Sequence, residues 1–176
     1  MKKFNLLSKD ECLKLLHADS YNGFQRSLIF DDHDLMGLSV KRKSHSKTLS
    51  NNDTEDTLST LHTACENYIS QKWNLKLCEW SSPVINRYCV GDYYEPHTDT
   101  NSGHACRRAF SCVTFLNDNF GGGELYFPHR DKIFNPKAGV SILFAADELH
   151  GSSIVRYGTK FSMVQWILYP AFLCDS

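Results

Sequence analysis

Apolar positions recur at helical spacing in two places, both in the first half of the chain. Ser8-Lys9-Asp10-Glu11 forms a capping box, because Ser at the N-cap and Glu three positions on satisfy each other's free amides. Leu13 and Leu16, with Cys12, then predict the buried stripe of a short helix ending near Asp19. A second helix is expected from Asp53 or Thr54, with Glu55 and Asp56 favourable at the positive end of its dipole. Leu58, Leu61, Cys65, Tyr68 and Ile69 carry its apolar face to about Lys72. Between the two helices, Phe24–Phe30 reads as a strand and residues 31–52 as a long polar loop, a feature that is often functional in a compact domain.

From residue 75 onward the period changes. Short runs rich in β-branched and aromatic residues cover 75–80, 83–90, 108–116, 123–127, 139–145, 153–157 and 161–169. Gly121-Gly122-Gly123 and Asn135-Pro136 mark tight connections between them. Strands following helices in this way predict a mainly β, α+β fold: a β-sandwich or jelly-roll barrel buttressed by the N-terminal helices. The expected organisation is one domain over 1–176, with 1–74 as helical support plus the polar loop and 75–170 as the β core.

Composition narrows the function classes. A 41% hydrophobic, 22% charged chain with net charge -1 is ordinary for a globular protein and carries no pull toward nucleic acid or a membrane surface. Lys41-Arg42-Lys43 with Lys47 is the one basic cluster, read as a solvated loop in preference to a localisation or polyanion site. No apolar run approaches the ~20 residues of a membrane helix. Lys9, Asp10 and Glu11 interrupt any signal-peptide core after the basic opening. The seven cysteines show neither a CxxC pair nor a zinc-knuckle spacing, so reduced thiols and a cytoplasmic location are expected. Cys89 and Cys112 lie in apolar runs and read as small core hydrophobes.

The candidate chemistry begins at "YYEPHTDT", residues 93–100. Residues i and i+2 of a strand share a face, so His97 and Asp99 can aim an imidazole and a carboxylate at one ion. The pair alone is a weak signal, since both residue types are common in turns. His150 strengthens it, following the apolar run Val140–Ala145 and a short acidic turn. Two histidines and one carboxylate on one face, with open positions beside them, make the facial triad of non-haem Fe(II) oxygenases. A second pair of the same spacing, His129 and Asp131, sits after a proline among charges and is assigned to the surface. Only 21 residues separate His129 from His150, whereas His97 lies 53 before it, room for a jelly-roll crossover. His17, His33, His45, His62 and His104 lack a partner pattern.

Here the chain resembles the Fe(II)/2-oxoglutarate-dependent dioxygenases, in their prolyl 4-hydroxylase-like branch. The resemblance runs from about Val84 to Leu168 through "RYCVGDYYEPHTD", "TFLNDNFGGGELYFP", "PKAGVSILFAADELHGSSIVRYGTK" and the trailing Trp166. It implies a double-stranded β-helix (jelly-roll) barrel, with His97, Asp99 and His150 as iron ligands. It further implies Lys160, ten residues after His150, as the anchor of the distal 2-oxoglutarate carboxylate, with Arg156 as runner-up. A buried ammonium is costly unless it meets a charge, and a cosubstrate carboxylate supplies one. Tyr88 matches a tyrosine that contacts 2-oxoglutarate; Thr114 and Trp166 lie on strands expected to line the same cavity, and Arg108 matches a position near the substrate mouth.

The implied cofactors are Fe(II), 2-oxoglutarate and O2, with ascorbate as an accessory reductant. The implied reaction hydroxylates an unactivated C–H bond of a prolyl or other amino-acid side chain, in a peptide, protein or amino-acid-derived metabolite, releasing succinate and CO2. The 31–52 loop and the 100–107 segment are expected to border the mouth and set substrate choice. The presence of Asp99 favours hydroxylation over halogenation, whose enzymes carry a small residue at the carboxylate position. A non-catalytic, cupin-like barrel that binds metal or a small ligand is the competing reading.

Overall fold

The computed structural model describes residues 1–18, 23–30, 36–37, 40–75, 79–100 and 107–170. Helix α1 spans Lys9–His17 behind the predicted capping box: the Glu11 amide donates to Ser8 Oγ at 3.2 Å and the Ser8 amide to Glu11 Oε2 at 2.7 Å. Its buried residues are Cys12 and Leu15, whereas Leu13 is 51% exposed. The predicted stripe is therefore right at Cys12 and Leu16 and wrong at Leu13, because a step of one residue turns the chain by about 100° and Leu15, with the partly buried Leu16, shares the face of Cys12. The predicted helix end near Asp19 lies outside the described residues.

Helix α2 spans Asn51–Trp73, starting slightly earlier than its acidic residues suggest. The Thr54 hydroxyl donates back to the Ser50 carbonyl at 3.0 Å, and Asn74 closes the other end in the left-handed conformation, its N–H on Ser70 O at 2.9 Å. Leu58, Leu61, Cys65 and Ile69 are fully buried, as their spacing requires. No helix among the described residues is long and apolar enough to cross a membrane.

Two antiparallel sheets carry most of the rest, beside two two-stranded ribbons, Gly121–Gly122 with Val155–Tyr157 and Ile29–Phe30 with Met36–Gly37. The major sheet has eight strands in the order Lys2–Asn5, Val140–Ala145, Arg108–Phe115, Lys160–Leu168, Val84–Tyr88, His45–Thr48 and Gln25–Arg26, with Glu79–Trp80 pairing beside Lys160–Leu168. The minor sheet has five, in the order Lys132–Phe134, Leu125–Phe127, His150–Ser152, Tyr93–His97 and Arg42–Lys43. Alternation along the strands sorts the core into two layers. Leu143, Cys112 and Phe110 join Leu58, Leu61, Cys65 and Ile69 on the helix side of the major sheet. Ile142, Phe144, Phe115 and Val140 cluster with Leu125 and Phe127 of the minor sheet.

The strand order is jelly-roll-like and the two helices support it, but the sheets do not close into a barrel among the described residues. Each keeps separate edge strands: Lys2–Asn5 and Gln25–Arg26 in one, Lys132–Phe134 and Arg42–Lys43 in the other. The expected loop over 31–52 is also corrected where it is described. Arg42–Lys43 and His45–Thr48 pair with strands that hold the site, and polar side chains there concealed the strand period. The basic cluster is dispersed: Arg42 turns to a cavity, Lys43 pairs with Asp92 at 3.3 Å, and Lys47 donates to the C-terminal carbonyls Leu16 O and Ala18 O near α1, each at 2.9 Å.

Candidate metal centre

The two edges of the chemistry meet by strand pairing. His97 ends the strand Tyr93–His97 and stands opposite His150, the first residue of its neighbour. Asp99 lies in the turn just beyond, held by its own amide donating to Ala146 O at 2.8 Å. His97 Nε2 is 3.6 Å from Asp99 Oδ1, and His150 Nε2 is 3.7 Å from Asp99 Oδ2. One ligand atom from each of the three lies within 4.8 Å of the others.

Both imidazoles are aligned in the same way. His97 Nδ1 lies 2.8 Å from Glu95 O and His150 Nδ1 lies 2.9 Å from Glu148 O. A carbonyl only accepts, so each Nδ1 carries the proton and each Nε2 presents its lone pair toward Asp99, the arrangement a metal-ligating histidine needs. Burial lowers the pKa of His150 and favours this neutral form. Burial works against the charge on Asp99; with the rings protonated, His97 and His150, together with the Ser111 hydroxyl 2.6 Å from Oδ2, hold the carboxyl well below its ordinary range, and with neutral rings the Ser111 bond remains. Two neutral nitrogens and a carboxylate suit a first-row divalent ion such as Fe(II), with positions left over for other ligands.

The triad opens on a cavity of about 150 Å³. Lys160 is buried at its other end, where its Nζ donates to Gly123 O and Ser152 Oγ, both at 2.8 Å, and lies 4.8 Å from the centre of the Tyr88 ring. It makes no ion pair among the described residues, and burial pushes its pKa down to about 7. Gly123 permits this contact: its φ is +66°, and a Cβ there would lie 2.9 Å from Lys160 Cδ. At the triad end, the Arg108 guanidinium lies 3.5 Å over the Trp166 ring and donates to Asp99 O at 3.1 Å. Trp166 Nε1 is buried without a hydrogen-bond partner.

Of the residues singled out from sequence, His97, Asp99, His150, Lys160, Tyr88, Arg108 and Trp166 all line this cavity. Two do not. Thr114 is buried against Ser141 Oγ at 2.7 Å, and its neighbour Val113 faces the cavity instead, because adjacent strand residues point to opposite sides. Arg156 stands on the outer strand Val155–Tyr157, 64% exposed and 3.2 Å from Glu124 Oε1. His129 and Asp131 are exposed around a single 3₁₀ turn, Pro128–Arg130, far from forming a ligand set. Residues 31–35, 38–39 and 101–106 of the expected mouth segments lie outside the described residues, as do His33 and His104.

Sequence reading missed Ser111, Arg42, Tyr94 and Ser152. Ser111 is one of two hydroxyls, with Thr114, inside the largely apolar run 108–116, a signal that could have flagged it. Tyr94 stacks on His97 with ring centres 3.5 Å apart, and Arg42 lies 4.7 Å over Tyr94 while donating to Asn86 Oδ1 at 2.7 Å. Arg42 had no local signal, since it reaches the site only through pairing of Arg42–Lys43 with Tyr93–His97.

Residues 83–168 match the family model of the 2OG-Fe(II) oxygenase superfamily. A PKHD-type hydroxylase of a Caulobacter species (strain K31) is 33% identical over 99 residues, covering 49% of this chain and 42% of that protein. The chain spans about half the length of the curated relatives it matches. Among solved structures, a viral collagen prolyl hydroxylase from Paramecium bursaria chlorella virus-1, in complex with 2-oxoglutarate, superposes with a TM-score of 0.73 at 22% identity, covering 96% of this chain and 95% of that one. A prolyl-4-hydroxylase of Pseudomonas putida gives 0.72 at 18% identity, covering 96% and 92%. At these identities the likeness establishes the fold.

Proposed function

Since the chain belongs to the 2OG-Fe(II) oxygenase superfamily, we propose that it is an Fe(II)- and 2-oxoglutarate-dependent hydroxylase. His97, Asp99 and His150 hold the iron through Nε2, a carboxylate oxygen and Nε2. Lys160 receives the distal carboxylate of 2-oxoglutarate, with Tyr88 against its ammonium; Thr114 and Arg156 have no part in that contact. One observation carries the reading: two imidazoles fixed as Nδ1–H tautomers converge with Asp99 at one end of a cavity whose other end holds a buried lysine that makes no ion pair among the described residues.

When bound, iron and 2-oxoglutarate supply the oxidising power: one O2 is consumed, 2-oxoglutarate becomes succinate and CO2, and one oxygen atom enters a C–H bond of the substrate. The protein's own residues do the positioning. Ser111 donates to Asp99 Oδ2 and fixes the carboxylate's orientation. Glu95 O and Glu148 O keep both ring tautomers. Leu125, Val113 and Val164 give the cavity apolar walls between the triad and Lys160. Arg108 and Trp166 border the triad end and contact the substrate.

The substrate is a prolyl or other amino-acid side chain, in a peptide or protein or in an amino-acid-derived metabolite. Support comes from the two prolyl hydroxylases that share the fold. The test combines Fe(II) and 2-oxoglutarate without oxygen, then admits air with prolyl peptides and free amino acids. A weak visible charge-transfer band followed by substrate-dependent succinate release is the expected result. No band overturns the reading, and a band with no succinate from any substrate assigns the chain to non-catalytic ligand binding.

A further inference from the structure

The triad end of the cavity presents more donors than acceptors. Arg42 reaches it from the short strand Arg42–Lys43 and is held by Ser44 and Asn86: its Nε donates to Ser44 Oγ at 2.9 Å and a terminal N–H to Asn86 Oδ1 at 2.7 Å. A guanidinium has five N–H donors, so three are left on Arg42. Arg108 commits one to Asp99 O at 3.1 Å, with its flat face against Trp166. Both arginines are half-buried on the cavity lining, and neither makes an ion pair among the described residues. The Trp166 indole N–H, buried without a partner, adds one more donor to the same lining.

The charges point the same way. Asp99 is the only carboxylate among the described lining residues, against the cations Arg42, Arg108 and Lys160. With Lys160 protonated, the cavity therefore carries an excess of two positive charges. Fe(II) and the dianion of 2-oxoglutarate cancel each other, so loading the site leaves that excess in place. It is concentrated beside the metal ligands: the charges of Arg42 and Arg108 both reach Tyr94, whose ring stacks on His97. A half-buried cation calls for a counter-charge, and the guanidinium fork matches the two oxygens of a carboxylate. We propose that the substrate carries a carboxylate, received by Arg42 with Arg108 beside the triad: a free amino acid or the C-terminal residue of a peptide, not a residue inside a polypeptide. This rests on the functional reading above and narrows its substrate to an anion.

The test uses matched probes, the common N-acetyl amino acids and their carboxamides, which differ only in the carboxylate, together with peptides holding an internal proline. Calorimetry on the Mn(II) protein loaded with 2-oxoglutarate reads affinity, and succinate release from the Fe(II) protein reads turnover. At least one acid is expected to bind wild type about tenfold or more tightly than its amide, the range of hydrogen bonds to a charged group. Arg42→Gln removes most of that preference and Arg42→Lys recovers part of it, while the 2-oxoglutarate Kd, read from the anaerobic charge-transfer band, is unchanged in both. The wild-type comparison stands whether or not the Arg42 variants fold. Amides that bind as tightly as their acids overturn the proposal, as does an internal prolyl peptide that binds more tightly than every acid. Binding of no acid by a protein that shows the band overturns it too. Absence of the band in wild type sinks the hydroxylase reading itself, a separate result.

Discussion

Replacing Lys160 by Met removes a buried ammonium from the metal-free protein and so exposes what that charge costs. Burial lowers the lysine pKa from 10.5 to about 7. At pH 7 the unfolded chain is fully protonated while the folded lysine is about half neutral, which puts the ionisation penalty at about 4 kcal/mol. Methionine is similar in length and carries no such penalty. Against it stand the unpaired Gly123 carbonyl and Ser152 hydroxyl, about 1 kcal/mol each. The net gain is about 2 kcal/mol, or a melting temperature higher by about 4–8 °C for a chain of this size.

The pH dependence carries its own sign. A depressed lysine pKa penalises the folded state fully below the folded value, about 7, and not at all above the unfolded value, 10.5. Between them the unfolded chain binds more protons, so the wild-type protein gains stability relative to Lys160→Met as pH rises, by at most ~1.4 kcal/mol per pH unit. Urea unfolding of both proteins at pH 6, 7, 8 and 9, with chelator present, measures the difference. The Lys160→Met variant is expected to hold an advantage that is largest at pH 6 and shrinks by pH 9. A variant less stable than wild type at pH 6, with no slope from 7 to 9, refutes the reasoning.

Three other outcomes are expected. Ser111→Ala removes the 2.6 Å hydrogen bond to Asp99 Oδ2 and weakens Fe(II) or Mn(II) binding about 10–100-fold, measured by metal titration, with little change in melting temperature. Arg156→Ala leaves the dissociation constant of 2-oxoglutarate within about twofold of wild type, because only a half-exposed pair with Glu124 is lost; a loss of tenfold would restore Arg156 as the anchor. Leu61→Ala opens a cavity in the fully buried layer between α2 and the major sheet, and urea denaturation is expected to show a loss of about 2–5 kcal/mol.

What the sequence determined by itself is what local chemistry can carry. The capping box of α1, the stripe of α2 and the core strands 108–115, 140–145 and 160–168 are legible because each is written in contiguous residues. The clustering of the triad was legible too, through fixed spacing along strands and a family resemblance over about half the chain, as was the placement of Lys160 in the same cavity. Thr114 and Leu13 were misplaced by a single position, which in a strand or helix is enough to turn a side chain to the wrong face.

Only tertiary structure decided the rest. Arg42 enters the site because a short polar strand pairs beside Tyr93–His97, and no period in a two-residue strand announces it. The sheets keep open edges because closure depends on which strands find each other, not on their number. Ser152 and Gly123 surround Lys160 because three separate stretches of chain converge there. Hydrogen bonds between residues far apart in sequence leave no mark in local pattern, so the residue types of the site were readable while the shape of its lysine end was not.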